Sequence, residues 1–79
     1  MTTIIHGPRG SGKTRNAKEL LELFHEKVLR DNFDFSTPIE PNVLYLTQFL
    51  PDGKLGKFRV IPIEKALWLL KERNEREGK

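Results

Sequence analysis

Residues 2–30 constrain the fold more than any other stretch. They read as a short buried strand, a glycine-rich loop and an amphipathic helix in direct succession. Thr2 to His6 is β-branched with Ile4 and Ile5 at its centre, the composition of a buried strand. Gly7-Pro8-Arg9-Gly10-Ser11-Gly12-Lys13-Thr14 follows. From Lys13 to about Arg30 the apolar period turns helical. Ala17, Leu20, Leu21, Phe24 and Val28 stand at i, i+3, i+4, i+7 and i+11, one continuous stripe. Glu19, Glu22, Glu26 and Lys27 lie mostly off it, and Glu26 with Arg30 makes an i,i+4 pair of favourable order.

The rest of the chain adds two strands and a helix. Asp31 to Asn42 carries Ser36, Thr37, Pro38 and Pro41 and reads as a connector, since each proline turns its predecessor away from helix. Phe33, Phe35 and Ile39 are expected to pin it to the core edge. Val43 to Thr47 is a second strand, and Phe58 to Ile63 a third whose pairing Pro62 ends. Ile63 to about Glu75 is helical on an Ile63, Ala66, Leu67 and Leu70 stripe, and the charged tail from Arg73 to Lys79 is expected to fray. Residues 1–79 therefore read as a single α/β domain, a three-stranded, mostly parallel sheet packed by two main helices. The roughly ten residues between the last two strands fall short of the usual parallel crossover. Pro51-Asp52-Gly53 suits a hairpin, so both pairings stay open.

Composition narrows the function classes. The 79 residues hold no cysteine, which removes disulfides, thiolate zinc sites and cysteine nucleophiles. His6 and His25, with no zinc spacing between them, read as a packed strand-end residue and an exposed one. No apolar run is long enough to span a membrane, and the N-terminus lacks the pattern of a signal peptide, so a cytoplasmic location is expected. The net charge of +3 is mild and its signs are interspersed, which permits nucleic-acid contact without arguing for it.

Residues 7–14 carry the chemistry. Gly7 and Gly12 allow backbone angles and a close approach that a side chain would block. Backbone N–H groups from Arg9 to Thr14 can then turn inward as an anion nest. A helix opening at about Lys13 would aim its positive end at the same point. The spacing Gly7-x-x-x-x-Gly12-Lys13-Thr14 matches the Walker A pattern at every fixed position. Over residues 4 to 17 the chain resembles the P-loop NTPase superfamily, and within it small phage and prophage P-loop proteins. The resemblance implies that Gly7, Pro8, Arg9, Gly10, Ser11, Gly12, Lys13, Thr14 and Arg15 hold ATP or GTP. Lys13 would reach the β- and γ-phosphates, and the Thr14 hydroxyl would take Mg²⁺. A phage-encoded chain would work in the cytoplasm of its bacterial host.

The family's second element is an acid at the end of an apolar strand. Val28-Leu29-Arg30-Asp31 has the acid but falls within the expected helix, and Phe49-Leu50-Pro51-Asp52 contains a proline. Asp31, Asp34 and Asp52 are left to serve from loops, which place a catalytic group less rigidly. Val43 to Gln48 looks like the sensor strand of AAA+ ATPases. That likeness makes the phosphate-loop strand central, and it gives Thr47 and Gln48 a water-orienting role at the carboxyl ends of the strands. Lys13 and Thr47 are thus the catalytic candidates. Arg9, Arg15 and Arg59 could touch phosphate or could be solvated surface arginines.

Nucleotide binding with weak or partner-dependent hydrolysis is the leading expectation. The competing one is a phage-type interaction protein that uses the scaffold to bind a host protein or a second copy, through Trp68 and Leu69 if they are exposed. A small kinase needs an acceptor site and a lid, for which 79 residues leave little room.

Overall fold

The computed structural model describes residues 2–8, 10, 12–51 and 58–76. Among these the chain runs β1 (Thr3–His6), α1 (Ala17–Leu23), β2 (Val28–Arg30), β3 (Val43–Thr47), β4 (Arg59–Pro62) and α2 (Ile63–Arg76). The sheet order is β2-β3-β1-β4, and every pairing is parallel. The described residues thus hold four strands where three were expected. The last two strands do not pair with each other, because β1 lies between them. Asp52, Gly53 and Gly56 of the expected hairpin lie outside the described residues, as do residues 77–79, whereas Arg73 to Arg76, expected to fray, continue α2.

Alternation along the strands divides the core into two faces. Ile5, Leu44, Leu46 and Ile61 point to one face and meet Ala17 and Leu20 of α1, Phe24 just past its end, and Ile63, Ala66 and Leu70 of α2. Ile4, Val43 and Tyr45 point to the other, where Phe33, Phe35 and Ile39 of the connector cover them. A parallel sheet needs both faces covered; here helices cover one and an aromatic loop covers the other. The connector is also tied by hydrogen bonds. The Glu40 N–H donates to the Tyr45 hydroxyl at 2.8 Å, and the Thr2 hydroxyl donates to the Glu40 carbonyl at 2.7 Å.

The fourth strand comes from residues expected to continue the first helix. That helix ends at Leu23, and His25 takes a left-handed backbone with φ 57°. The His25 N–H donates to the Glu22 carbonyl and the Glu26 N–H to the Leu21 carbonyl, both at 3.2 Å. These are the paired bonds of a Schellman C-terminus, usually built on glycine. Glu26 therefore makes no helical pair with Arg30. It is buried and accepts a 2.6 Å bond from the Thr3 hydroxyl, the kind of partner a buried carboxylate requires. Val28 then starts β2 beside Val43.

The helix also begins later than expected. Residues 12–16 form turns, and regular helix starts at Ala17. The helix dipole fades within about one turn, so its positive end is displaced from the loop at Lys13.

His25 is exposed, so its substitution tests the turn and not packing. His25→Gly is expected to stabilise the fold by about 0.5 kcal/mol. Relief of the left-handed backbone outweighs the added freedom of the unfolded chain. His25→Val is expected to cost about 1 kcal/mol, because β-branched residues fit this region worst. Urea denaturation midpoints check both.

Candidate functional site

Parallel strands bring their carboxyl ends to one edge, where α/β folds bind ligands. At that edge β1 runs into Gly7, β2 into Asp31 and β3 into Gln48. The Gly7 N–H donates to the Thr47 carbonyl at 3.1 Å, which joins the glycine-rich loop to the end of β3. A cavity of about 620 Å³ opens there, lined by Gly12, Lys13, Thr14, Asp31, Thr47 and Gln48 among others.

The loop is held by its own side chains. The ammonium of Lys13, only 8 % exposed, donates to the carbonyls of Gly7 at 2.5 Å and Pro8 at 2.9 Å. Asn16 donates to the Gly12 carbonyl twice, from its backbone at 3.2 Å and its side chain at 2.8 Å. In a trans peptide the carbonyl and the following N–H point opposite ways. Drawing the Gly12 carbonyl toward Asn16 therefore turns the Lys13 N–H away from it. Gly10 and Gly12 have φ of 81° and 95°, values that L-residues rarely adopt.

Asp31 stands at the end of β2, not on a helix. Its Oδ2 accepts from the Thr14 hydroxyl at 2.9 Å and its Oδ1 from the Asn32 N–H at 2.7 Å. Asn32 adopts φ 54° there. A hydroxyl has one proton and two lone pairs. Thr14 gives its proton to the carboxylate, so its lone pairs are what it can offer a cation. The described residues contain no group of three or more acids or histidines able to hold a metal alone. Magnesium rarely needs one, since it is usually held by one or two protein oxygens together with substrate phosphates.

The other expected residues fall into place unevenly. Gly10, Gly12, Lys13, Thr14, Arg15 and Thr47 line the cavity. Gly7 and Pro8 enter through the carbonyls that Lys13 grips. Arg9 and Ser11 lie outside the described residues. Thr47 is buried, and its hydroxyl donates to the Phe49 carbonyl at 2.9 Å while accepting the Phe49 N–H at 3.3 Å. Its proton is thus committed to the turn beyond β3. Arg59 sits at the far end of the sheet, paired with Thr3, and its guanidinium lies 5.3 Å from the centre of the Phe24 ring. That position separates it from the cavity. Asp34 is exposed, and the Ser36 side chain and N–H hold its carboxyl below its ordinary range. Sequence reasoning passed over Asp31 as a strand-end acid. The available signal was the apolar Val28-Leu29 before it, hidden by the helical stripe.

No protein-family model matches the chain, and no curated protein or solved structure matches it. No helix among the described residues is long and apolar enough to cross a membrane.

The two positive-φ glycines should respond differently to alanine. A methyl at Gly10 meets nothing within 4 Å, whereas one at Gly12 lies 3.3 Å from Asn16 Nδ2. Gly10→Ala is expected to cost about 1 kcal/mol from the backbone alone, and Gly12→Ala about 2 kcal/mol. Chemical denaturation of the two variants measures the gap.

Proposed function

We propose that the chain binds a nucleoside triphosphate, ATP or GTP, with Mg²⁺ at the cavity lined by Gly10, Gly12, Lys13, Thr14, Asp31 and Thr47, in the manner of a minimal P-loop domain. The observation that carries this reading is the Thr14–Asp31 hydrogen bond. It sets an acid beside the one hydroxyl of the glycine-rich loop that a phosphate-bound cation would use. The lysine is close by, and a phosphate oxygen is a stronger partner for its ammonium than a neutral carbonyl. The sheet order, with the phosphate-loop strand between β3 and β4, agrees with the same family. Magnesium, when bound, would neutralise charge on the terminal phosphates; Thr14 and Asp31 are the residues that would hold it.

Hydrolysis on this reading is slow or depends on a partner. Asp31 is the only carboxylate lining the cavity among the described residues, and both its oxygens already accept hydrogen bonds. A general base must reach the proton it removes, and on this reading Asp31 is assigned to the metal together with Thr14, which leaves the described lining without a second carboxylate for that task. Thr47 lines the cavity with its proton already donated, so it positions the β3 end and Gln48 is left to meet water. The suggestion of a phage origin rests on the likeness of residues 4–17 alone.

A second reading, a protein partner or a second copy of the chain, is favoured by Trp68, which is 57 % exposed on α2. Leu69 does not join it, because it packs on the helical face of the core.

Isothermal titration with ATP and Mg²⁺ is expected to show saturable binding that Lys13→Ala abolishes. Asp31→Asn is expected to weaken binding about tenfold with Mg²⁺ and hardly at all in EDTA, the size of a lost charge-assisted contact. No heat with any nucleoside triphosphate would overturn the nucleotide reading. For the second reading, sedimentation should show self-association that Trp68→Glu removes; a monomer at every concentration, with no partner captured through α2, counts against it.

A further inference from the structure

A second, smaller pocket of about 270 Å³ adjoins the larger cavity and shares Asn32, Thr47 and Gln48 with it. Its walls are aromatic: Phe33, Phe35 and Phe49 line it. Phe33 is braced edge-on by Phe35 at 4.8 Å and tilted against Tyr45 at 4.2 Å. Phe49 is 76 % exposed, which leaves most of its ring surface accessible to a ligand. Phe35 holds its ring there with φ 63°, a conformation that strains a bulky residue and tends to persist at functional positions. The polar side chains lining the pocket are the amides of Asn32 and Gln48, the carboxylate of Asp34 and the Thr47 hydroxyl, whose proton goes to the Phe49 carbonyl. The Ser36 N–H fixes that carboxylate at 3.0 Å.

This combination has a defined chemistry. A side-chain amide offers a donor and an acceptor side by side, which matches the edge of a nucleobase. A carboxylate accepts from an exocyclic amino group, and an exposed ring stacks on the face of a base. The volume is below the range that encloses a drug-sized ligand and suits one planar ring system. We infer that this pocket binds the base of a second nucleoside or nucleotide unit, stacked on Phe49 and read along its edge by Asn32, Gln48 and Asp34. The base has two possible sources, a free nucleoside and an unpaired nucleotide within a single strand. Its position beside a terminal phosphate rests on the nucleotide reading above, because Thr14 and Asp31 mark the metal end of the larger cavity. Its affinity for a base does not.

The test uses 2-aminopurine, whose fluorescence is quenched on stacking, as the free riboside and within a short oligothymidylate. Both probes are titrated into the full chain with and without a non-hydrolysable ATP analogue and Mg²⁺. Saturable quenching is expected. It should persist in Lys13→Ala, weaken about tenfold in Phe49→Ala and survive in Phe49→Trp, in line with the stacking contribution of one ring. Because Phe49 is largely exposed, its loss spares the core. Tighter, salt-dependent binding of the oligonucleotide would identify a single strand as the source, and equal binding would identify a free nucleoside; either supports the pocket. Strict competition, in which saturating ATP analogue abolishes riboside quenching completely, would overturn it, because the base site would then belong to the first nucleotide. So would quenching that Phe49→Ala leaves intact, or no saturable quenching at all. Failure of ATP binding with quenching preserved would remove the nucleotide reading and leave this one standing.

Discussion

At His25 the chain leaves α1 in a left-handed turn, and the Glu22 and Leu21 carbonyls accept the two N–H groups that follow. That turn sends Glu26 back under the sheet to Thr3, with Val28 next to pair against Val43. The strand so formed is only three residues long, yet its end delivers Asp31 to the Thr14 hydroxyl. Without the turn the helical stripe would run on through Val28, and Asp31 would project from a helix with no route to the loop. One residue in an unfavourable backbone region thus couples the end of the helix to the composition of the cavity. Its cost, about 1–2 kcal/mol for an L-residue, is offset by the capping bonds and by the burial that β2 allows.

The two faces of the sheet serve the cavity differently. Helices cover the first face, and Leu67 of α2 reaches both the cavity wall and the neighbourhood of Gly12. The connector covers the second face with rings, and those rings double as the wall of the smaller pocket. Phe33 ties the two arrangements together: its N–H donates to the Leu46 carbonyl at 2.8 Å, while its ring lies on Tyr45. A loop in this place has to satisfy its own backbone, and the bonds from Glu40, Ser36 and Phe33 do part of that.

Much of this was legible in the residues. Strands around Ile4-Ile5, Val43–Thr47 and Val60-Ile61 follow from β-branched, bounded runs, and α2 follows from its stripe. The pinning of the connector by Phe33, Phe35 and Ile39 was legible too. The end of α1 was not, because the left-handed position carries His instead of the usual Gly and Val28 happens to extend the helical period. The start of α1 was misplaced because the turns of residues 12–16 imitate helix locally: Asn16 bonds Gly12 at helical spacing while Ala17 bonds Thr14 one residue tighter. In the cavity, Lys13 and Thr14 were legible from spacing alone. The partner of Thr14 and the prior commitment of the Thr47 hydroxyl depend on contacts across the sheet, which no local pattern encodes.

The polar inventory at the carboxyl edge bears on what such a cavity does. Around the glycine-rich loop stand amides, from Asn16, Asn32 and Gln48, and one carboxylate already doubly bonded. Amides orient and discriminate, but they neither gain nor lose protons near neutral pH. A site that activates water needs a base placed at that water and not committed elsewhere, and the one acid lining this cavity among the described residues is assigned to the metal on the proposed reading. On the proposed reading, this edge is therefore better suited to holding a nucleotide and sensing what lies beside it than to turning it over. The shared wall of Asn32, Thr47 and Gln48 gives that sensing a physical route, since the same amides face both cavities. A ligand in one that draws Gln48 toward itself removes a hydrogen-bonding partner from the other. Coupling of that kind is reciprocal by thermodynamic necessity, and it arises here from two pockets built on the end of a single strand.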